Sequence, residues 1–187
     1  MGIKDLMKDT ESKQGKAVYT TMRKLLDKPG RATMNNPEVL VGAAGVKHGD
    51  IVLEIGCGSG FFTEEISKRV GTAGKVYATD INEAAIEQTQ AKTQRLGLSN
   101  VVVQKDDAMH SAFDDGMFDV VLLYGVVPAP VISMEDISRE ILRMLKPGGM
   151  YAIWTATPFW TPYKVCKQVP LEKLPKERGV FRLRKPR

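Results

Sequence analysis

Residues 51–62 read IVLEIGCGSGFF, and no other stretch restricts the fold of this chain as strongly. The run Ile51–Ile55, apolar apart from Glu54, fits a strand buried on both faces of a parallel sheet. Gly56, Gly58 and Gly60 follow at alternate positions. Phe62, Ile66 and Val70 then recur every four residues, marking the buried stripe of a helix from about Gly60 that ends near Gly71. Strand, glycine turn and helix in that order bring a ligand against main-chain N–H groups at a helix N-terminus.

The same alternation continues downstream. Lys75–Thr79 predicts a second strand closing on Asp80, and Asn82 caps a helix with Ile86, Thr89, Thr93 and Leu96 inward. Val101–Gln104 reads as a third strand and Phe118–Tyr124 as a fourth, again buried on both sides. Ser133 with Asp136 resembles a capping box for a helix bearing Ile137, Ile141 and Leu145. Lys146-Pro147-Gly148-Gly149 breaks that helix before a fifth strand, Met150–Thr155. Strands alternating with helices predict a doubly wound α/β fold.

The flanks read differently. Val18, Met22, Leu25 and Leu26 predict a helix over residues 12–27, and Asn36 caps a shorter one with Pro37 in its first turn and Gly45 at its close. At the other end Pro158, Pro162 and Pro170 leave little room for a crossover helix. Tyr163–Val169 and Gly179–Arg184 read as a terminal strand pair, antiparallel because the link is short. The expected organisation is one domain over residues 1–187, with a helical leader to residue 48 over the mouth, a core at 49–157, and a terminal pair with a basic tail at 158–187.

The glycine spacing narrows the ligand. A dinucleotide fingerprint wants GxGxxG, but Phe61 stands where its third glycine belongs, and the turn is GxGxG. Glu54, two residues ahead, disfavours a pyrophosphate and therefore NAD, and suits a cationic or hydrogen-bond-donating group. Asp80, at the end of the second strand, falls where doubly wound folds place a carboxylate over a ribose. Asp107 can accept from an adenine amine while the N–H of Ala108 faces a ring nitrogen, and Asp106 competes for that role by position. The inferred ligand is an adenine nucleoside carrying a positive charge.

VLEIGCGSG (52–60), ATDIN (78–82), KDDA (105–108), FDDGMFDVVLLY (113–124) and LKPGG (145–149) together resemble the motifs of the class I S-adenosylmethionine-dependent methyltransferases, in order and spacing, over about residues 37–157. Within that class the chain resembles the type 11, ubiquinone-methyltransferase-like branch. The resemblance implies a seven-stranded sheet of order 3-2-1-4-5-7-6 with the seventh strand antiparallel. It implies that Gly56, Cys57, Gly58 and Gly60 let S-adenosylmethionine approach the backbone, that Asp80 holds its ribose, that Ile81 packs on adenine, and that Asp107 and Ala108 read the adenine edge. Glu54 would orient the turn and reach the ammonium through water, and Tyr124 would line the space between cofactor and acceptor. The chain departs from its relatives after the fourth strand, where 125–130 (GVVPAP) replaces a polar or His-Glu pair.

The reaction implied is in-line methyl transfer governed by placement of the acceptor. His110 and Tyr124 are the candidate acid–base groups, and no catalytic residue is assigned. The [DNS]-P-P-[YFW] motif of base-amine methylation is absent from LLYGVVP, which disfavours a nucleic-acid acceptor against a small molecule or lipid near Tyr124, Val126 and Val127. Protein or nucleic-acid methylation and a non-catalytic cofactor-binding subunit are the alternatives. His48, His110, Cys57 and Cys166 form no metal-ligand spacing, so no metal is expected. The polar N-terminus, the lack of an apolar run of about 18–20 residues, and the scarcity of cysteine lead to the expectation of a reduced, cytoplasmic protein. The net charge of +5 gathers at the C-terminal end.

Overall fold

A computed structural model describes residues 35–129 and 132–187. Seven strands form one sheet: β1 (Ile51–Ile55), β2 (Lys75–Asp80), β3 (Val101–Lys105), β4 (Phe118–Tyr124), β5 (Leu145–Trp154), β6 (Glu172–Glu177) and β7 (Val180–Arg184). Their order is β3-β2-β1-β4-β5-β7-β6. The first five are parallel, and β7 runs antiparallel to both β5 and β6. This is the sheet that the resemblance implied. Four helices lie among the described residues: α1 (Pro37–Ala43), α2 (Thr63–Val70), α3 (Glu83–Arg95) and α4 (Met134–Met144).

The near-continuous apolar strands are buried on both faces because each face has its own layer. Val120, Leu122 and Tyr124 of β4 pack with Leu40 and Val41 of α1 and Ile66 and Val70 of α2. Val121 and Leu123 turn the other way, onto Ile137, Ile141 and Met144 of α4 and Phe181 and Leu183 of β7. α3 shares the α2 side, where Ile86 meets Ala78 of β2 and Cys57.

On the α4 side, β2 is covered by a loop. Tyr77 meets Phe113 and Phe118 edge-on, with ring centroids 5.3 and 5.7 Å away. Arg143 at the end of α4 fastens that loop, donating to the carbonyls of Ser111 and Phe113 and to Asp115 and Glu140. Asp119 has a similar tying role, accepting from Ile51 N–H at 2.8 Å and from Lys146 Nζ at 2.8 Å. It joins the starts of β1, β4 and β5, and so explains the acid of FDVV and the lysine of LKPGG.

Four expectations are corrected. Tyr163–Lys167 is a 3₁₀ turn, and the strand paired with β7 is Glu172–Glu177. Val165, Val169 and Leu171 are the reason, since burying them in the core lays the segment across the sheet face instead of along its edge. Leu96 caps α3 and is 41% exposed. Leu145 begins β5 and does not end α4, and α2 begins at Thr63, beyond the residues spent on the turn. Asn36 accepts from Glu38 N–H at 2.9 Å, as its capping role requires. The helix expected over 12–27, and Pro130 of the loop after β4, lie outside the described residues.

Candidate active site

The carboxyl ends of β1, β2, β3 and β4 converge where the strand order reverses between β1 and β4, the place where open α/β sheets bind ligands. The glycine turn is seated on β2 there: the N–H groups of Gly56 and Cys57 both donate to Thr79 O, at 2.8 and 2.9 Å. Its three glycines have positive φ for three different reasons. A Cβ on Gly56 would meet Val126 Cγ2 at 2.4 Å, so this glycine lets the loop after β4 close onto the turn. A Cβ on Gly60 would crowd Thr89 at 3.3 Å, so this one lets α3 approach. Only Gly58 of the three has no heavy atom of the described residues within 4 Å of an added Cβ. Of the three, Gly58 is where a ligand can lie against the main chain.

Asp80 is nine-tenths buried and braces that same glycine, with Oδ2 accepting from Gly58 N–H at 3.1 Å and Oδ1 from Asn82 N–H at 2.9 Å. Burial raises its pKa above the ordinary carboxylate value, and the main-chain donors Asn82, Gly58 and Ile81 oppose that rise. Ile81 beside it is 46% exposed, an apolar surface at the strand end with room for a flat ring.

Glu54 is buried beneath the turn, where Thr63 Oγ1 donates to its Oε2 at 2.6 Å at the first residue of α2. With Glu64 and Glu65 in the same first turn, that helix end is poorly suited to a pyrophosphate. Cys57 is buried against Ala78 and Ile86, and desolvation pushes its thiol pKa far up, so only its backbone belongs to the turn's surface.

At the end of β3 the two acids differ. Asp107 Oδ1 accepts from Met109 N–H at 3.0 Å, and Oδ2 lies 3.2 Å from His110 Nδ1, with the carboxylate still partly exposed. Asp106 Oδ1 accepts from Ala112 N–H, whereas its Oδ2 is buried with no partner among the described residues. A buried acceptor without a donor is costly, so that oxygen marks this edge as incomplete on its own. Ala108 follows, packed against the core. His110 itself is 82% exposed in its side chain.

Tyr124 is placed differently from expectation. Its hydroxyl donates to Leu40 O at 2.8 Å, and its ring meets Phe62 and Trp154 at 5.1 and 6.4 Å. Burial raises its pKa far above the phenol range. A hydroxyl so committed ties α1 to β4. Val127 is likewise core, 3% exposed, which leaves Val126 alone of the expected apolar trio in contact with the turn. Among the described residues no group of three or more His, Cys, Asp or Glu comes together as a metal site.

Sequence reasoning missed the clamp from α3. Thr89 Oγ1 donates to Gly58 O at 3.0 Å, and Lys92 Nζ donates to Gly60 O at 2.6 Å while lying 3.5 Å from Glu64. The Gly58 peptide is therefore held from both sides, by Asp80 at its N–H and by Thr89 at its carbonyl. The signal was a polar Thr89 on the inward stripe of an amphipathic helix, which reads there as ordinary packing.

Residues 52–149 match the model of a family described as a methyltransferase domain. The ubiquinone/menaquinone biosynthesis C-methyltransferase of Idiomarina loihiensis and the demethylmenaquinone methyltransferase of Lactococcus lactis are each 36% identical over 115 residues, 60% of this chain. The chain spans about half the length of these curated relatives, 45% in both cases. A crystal structure of a SAM-dependent methyltransferase from Aquifex aeolicus superposes with a TM-score of 0.72 at 26% identity, covering 88% of this chain and 96% of that one. The [4+2]-cyclase SpnF shares the fold at a TM-score of 0.70 and 16% identity. The chain belongs to the methyltransferase-domain family and has the fold of the class I S-adenosylmethionine-dependent methyltransferases.

Proposed function

We propose that this protein binds S-adenosylmethionine at the glycine turn and transfers its methyl group to a small, partly apolar acceptor. The observation that carries the reading is the Gly58 peptide, open on one side and braced by the buried Asp80 on the other. S-adenosylmethionine, when bound, supplies an electrophilic methyl on a sulfonium. Gly58 would let its backbone-facing part approach, Asp80 would accept from the ribose hydroxyls, and Ile81 would support the adenine. Asp107 with Ala108 would read the adenine edge, with Asp106 Oδ2 as a second acceptor beside them. Glu54 shapes the turn from beneath through Thr63.

The described loop after β4 consists of Gly125, Val126, Val127, Pro128 and Ala129, and none of them carries a side-chain proton acceptor. That favours an acceptor whose nucleophilic atom needs no base from this loop, with the protein contributing placement and exclusion of water. Well-oriented placement can supply on the order of 7–11 kcal/mol. The relatives named for demethylmenaquinone and for ubiquinone/menaquinone biosynthesis support a quinone-type ring as the first acceptor to try. The test is incubation with methyl-labelled cofactor and a soluble demethylated quinol. Label should move to the organic product. Tight cofactor binding with no transfer to that quinol or to any component of a lipid extract would leave a binding subunit instead.

A further inference from the structure

Residues 155–187 hold nine Lys and Arg against two Glu, a surplus larger than that of the whole chain. Both acids are already used, Glu172 by Arg184 at 2.8 Å and Glu177 by Arg182. Among the described residues, exposed Lys164, Lys167, Lys173, Lys176 and Arg178 pair with no carboxylate. Lys173 Nζ sits 3.8 Å from the Tyr163 ring centroid, and Lys176 Nζ sits 4.1 Å from that of Phe181. Trp160 and Tyr163 both meet Phe181 edge-on, at 6.2 and 5.4 Å, so these rings and lysines occupy one neighbourhood.

Next to Trp160, Phe159 is fully exposed, and its φ of 60° is a left-handed value that a bulky residue rarely holds. The loop that presents it is braced. Pro158 and Pro162 fix the backbone on either side, and the hydroxyls of Thr155 and Thr161 accept from the N–H groups of Thr157 and Tyr163. The braced tip presents an apolar ring to solvent, next in sequence to the ring cluster that Lys173 and Lys176 flank. The loop leaves the carboxyl end of β5, on the same edge of the sheet as the glycine turn.

We propose that this face docks the protein on an anionic lipid surface, with Phe159 entering the headgroup–acyl boundary and Lys164, Lys167, Lys173 and Lys176 meeting lipid phosphates. An aromatic ring with basic residues around it is the composition that holds proteins at such interfaces. No helix among the described residues is long and apolar enough to cross a membrane, so the contact is with the surface. A nucleic acid fits less well. Trp160 and Tyr163 are spent on Phe181, which leaves one free ring for stacking, and Arg182 and Arg184 are already paired with acids. That this face delivers an apolar acceptor to the turn rests on the methyl-transfer reading; the docking itself does not.

The test is co-sedimentation of the full chain with phosphatidylcholine vesicles, with and without about one third phosphatidylglycerol. Binding is expected only to the anionic vesicles and should be lost at high salt, because the Debye length shrinks to about 3 Å near 1 M. Each lysine at such a surface is worth roughly five-fold in partitioning, so the double variant Lys164→Ser, Lys167→Ser should lose roughly twenty-fold. Phe159→Ser should lose roughly ten-fold. Cofactor titration of each variant keeps folding in view, and failure of cofactor binding in the parent would sink the methyltransferase reading without touching the vesicle result. No partition to anionic vesicles, variants that bind as the parent does, or capture by single-stranded RNA in place of vesicles would each overturn the docking proposal.

Discussion

Thr89 and Gly58 share a hydrogen bond of 3.0 Å, hydroxyl to main-chain carbonyl, that joins the inner face of α3 to the one glycine of the turn with open space beside it. The turn's shape is thus set in part by a helix 31 residues farther along the chain. Thr89→Val keeps the volume and removes the donor. Cofactor affinity measured by calorimetry should fall roughly five- to ten-fold, and Thr89→Ser should restore it. A lowered melting temperature with unchanged affinity would make Thr89 a packing residue only.

Asp80→Ala removes the buried carboxylate expected to hold the ribose. Its cofactor dissociation constant should rise roughly a hundred-fold, the equivalent of one or two charged hydrogen bonds. An unchanged constant would take the ribose away from Asp80.

The same carboxylate predicts a pH dependence in the cofactor-free protein. Burial raises its folded pKa above the ordinary value of 3.8, so between those two values the folded state holds a proton that the unfolded chain has released. Its contribution to stability is therefore fully present below 3.8 and is lost as pH climbs through the raised folded value. Asp80→Asn should flatten that stretch of a denaturation-versus-pH profile. Superimposable profiles would show that the burial penalty is already relieved.

Gly56 and Gly58 should fail in different ways. Gly56→Ala drives a methyl group into Val126 and should lower the melting temperature, with partial relief from Val126→Ala. Gly58→Ala meets no protein atom, so beyond the cost of a positive φ it should spare stability and weaken cofactor binding. Equal thermal losses with equal affinities would undo the distinction.

Tyr124→Phe removes the hydroxyl bond to Leu40 O, which keeps only the Ala44 N–H at 3.2 Å. Chemical denaturation should show a loss of about 1–2 kcal/mol, with methyl transfer rates close to the parent's. A rate loss of several orders of magnitude at unchanged stability would return the hydroxyl to the chemistry.

What was legible in the chain follows from how much each signal depends on neighbours in sequence. FDVVLLY declares a strand buried on both sides because every residue is apolar or tied, and the place of Asp80 beside the glycine turn was legible in its register. β6 was invisible because Glu172–Glu177 exposes nearly every side chain and carries Pro175, while the apolar residues nearby belong to the 3₁₀ segment. At the site, the glycines were read as one group, and only the packing of Val126 and Thr89 separates their roles. The tyrosine's tie to α1 was hidden for the same reason: a residue at the end of β4 can face either layer, and its bond to Leu40 lies 84 positions away.

The outer strand bears on how the molecule behaves in a crowd. β6 ends the sheet with a proline that has no N–H to offer, a shifted register between Leu174 and Glu177, and lysines along its length. A neighbouring chain looking for a strand to pair with meets a broken row of donors and exposed charged side chains. On this side the sheet is closed to polymerisation by its chemistry.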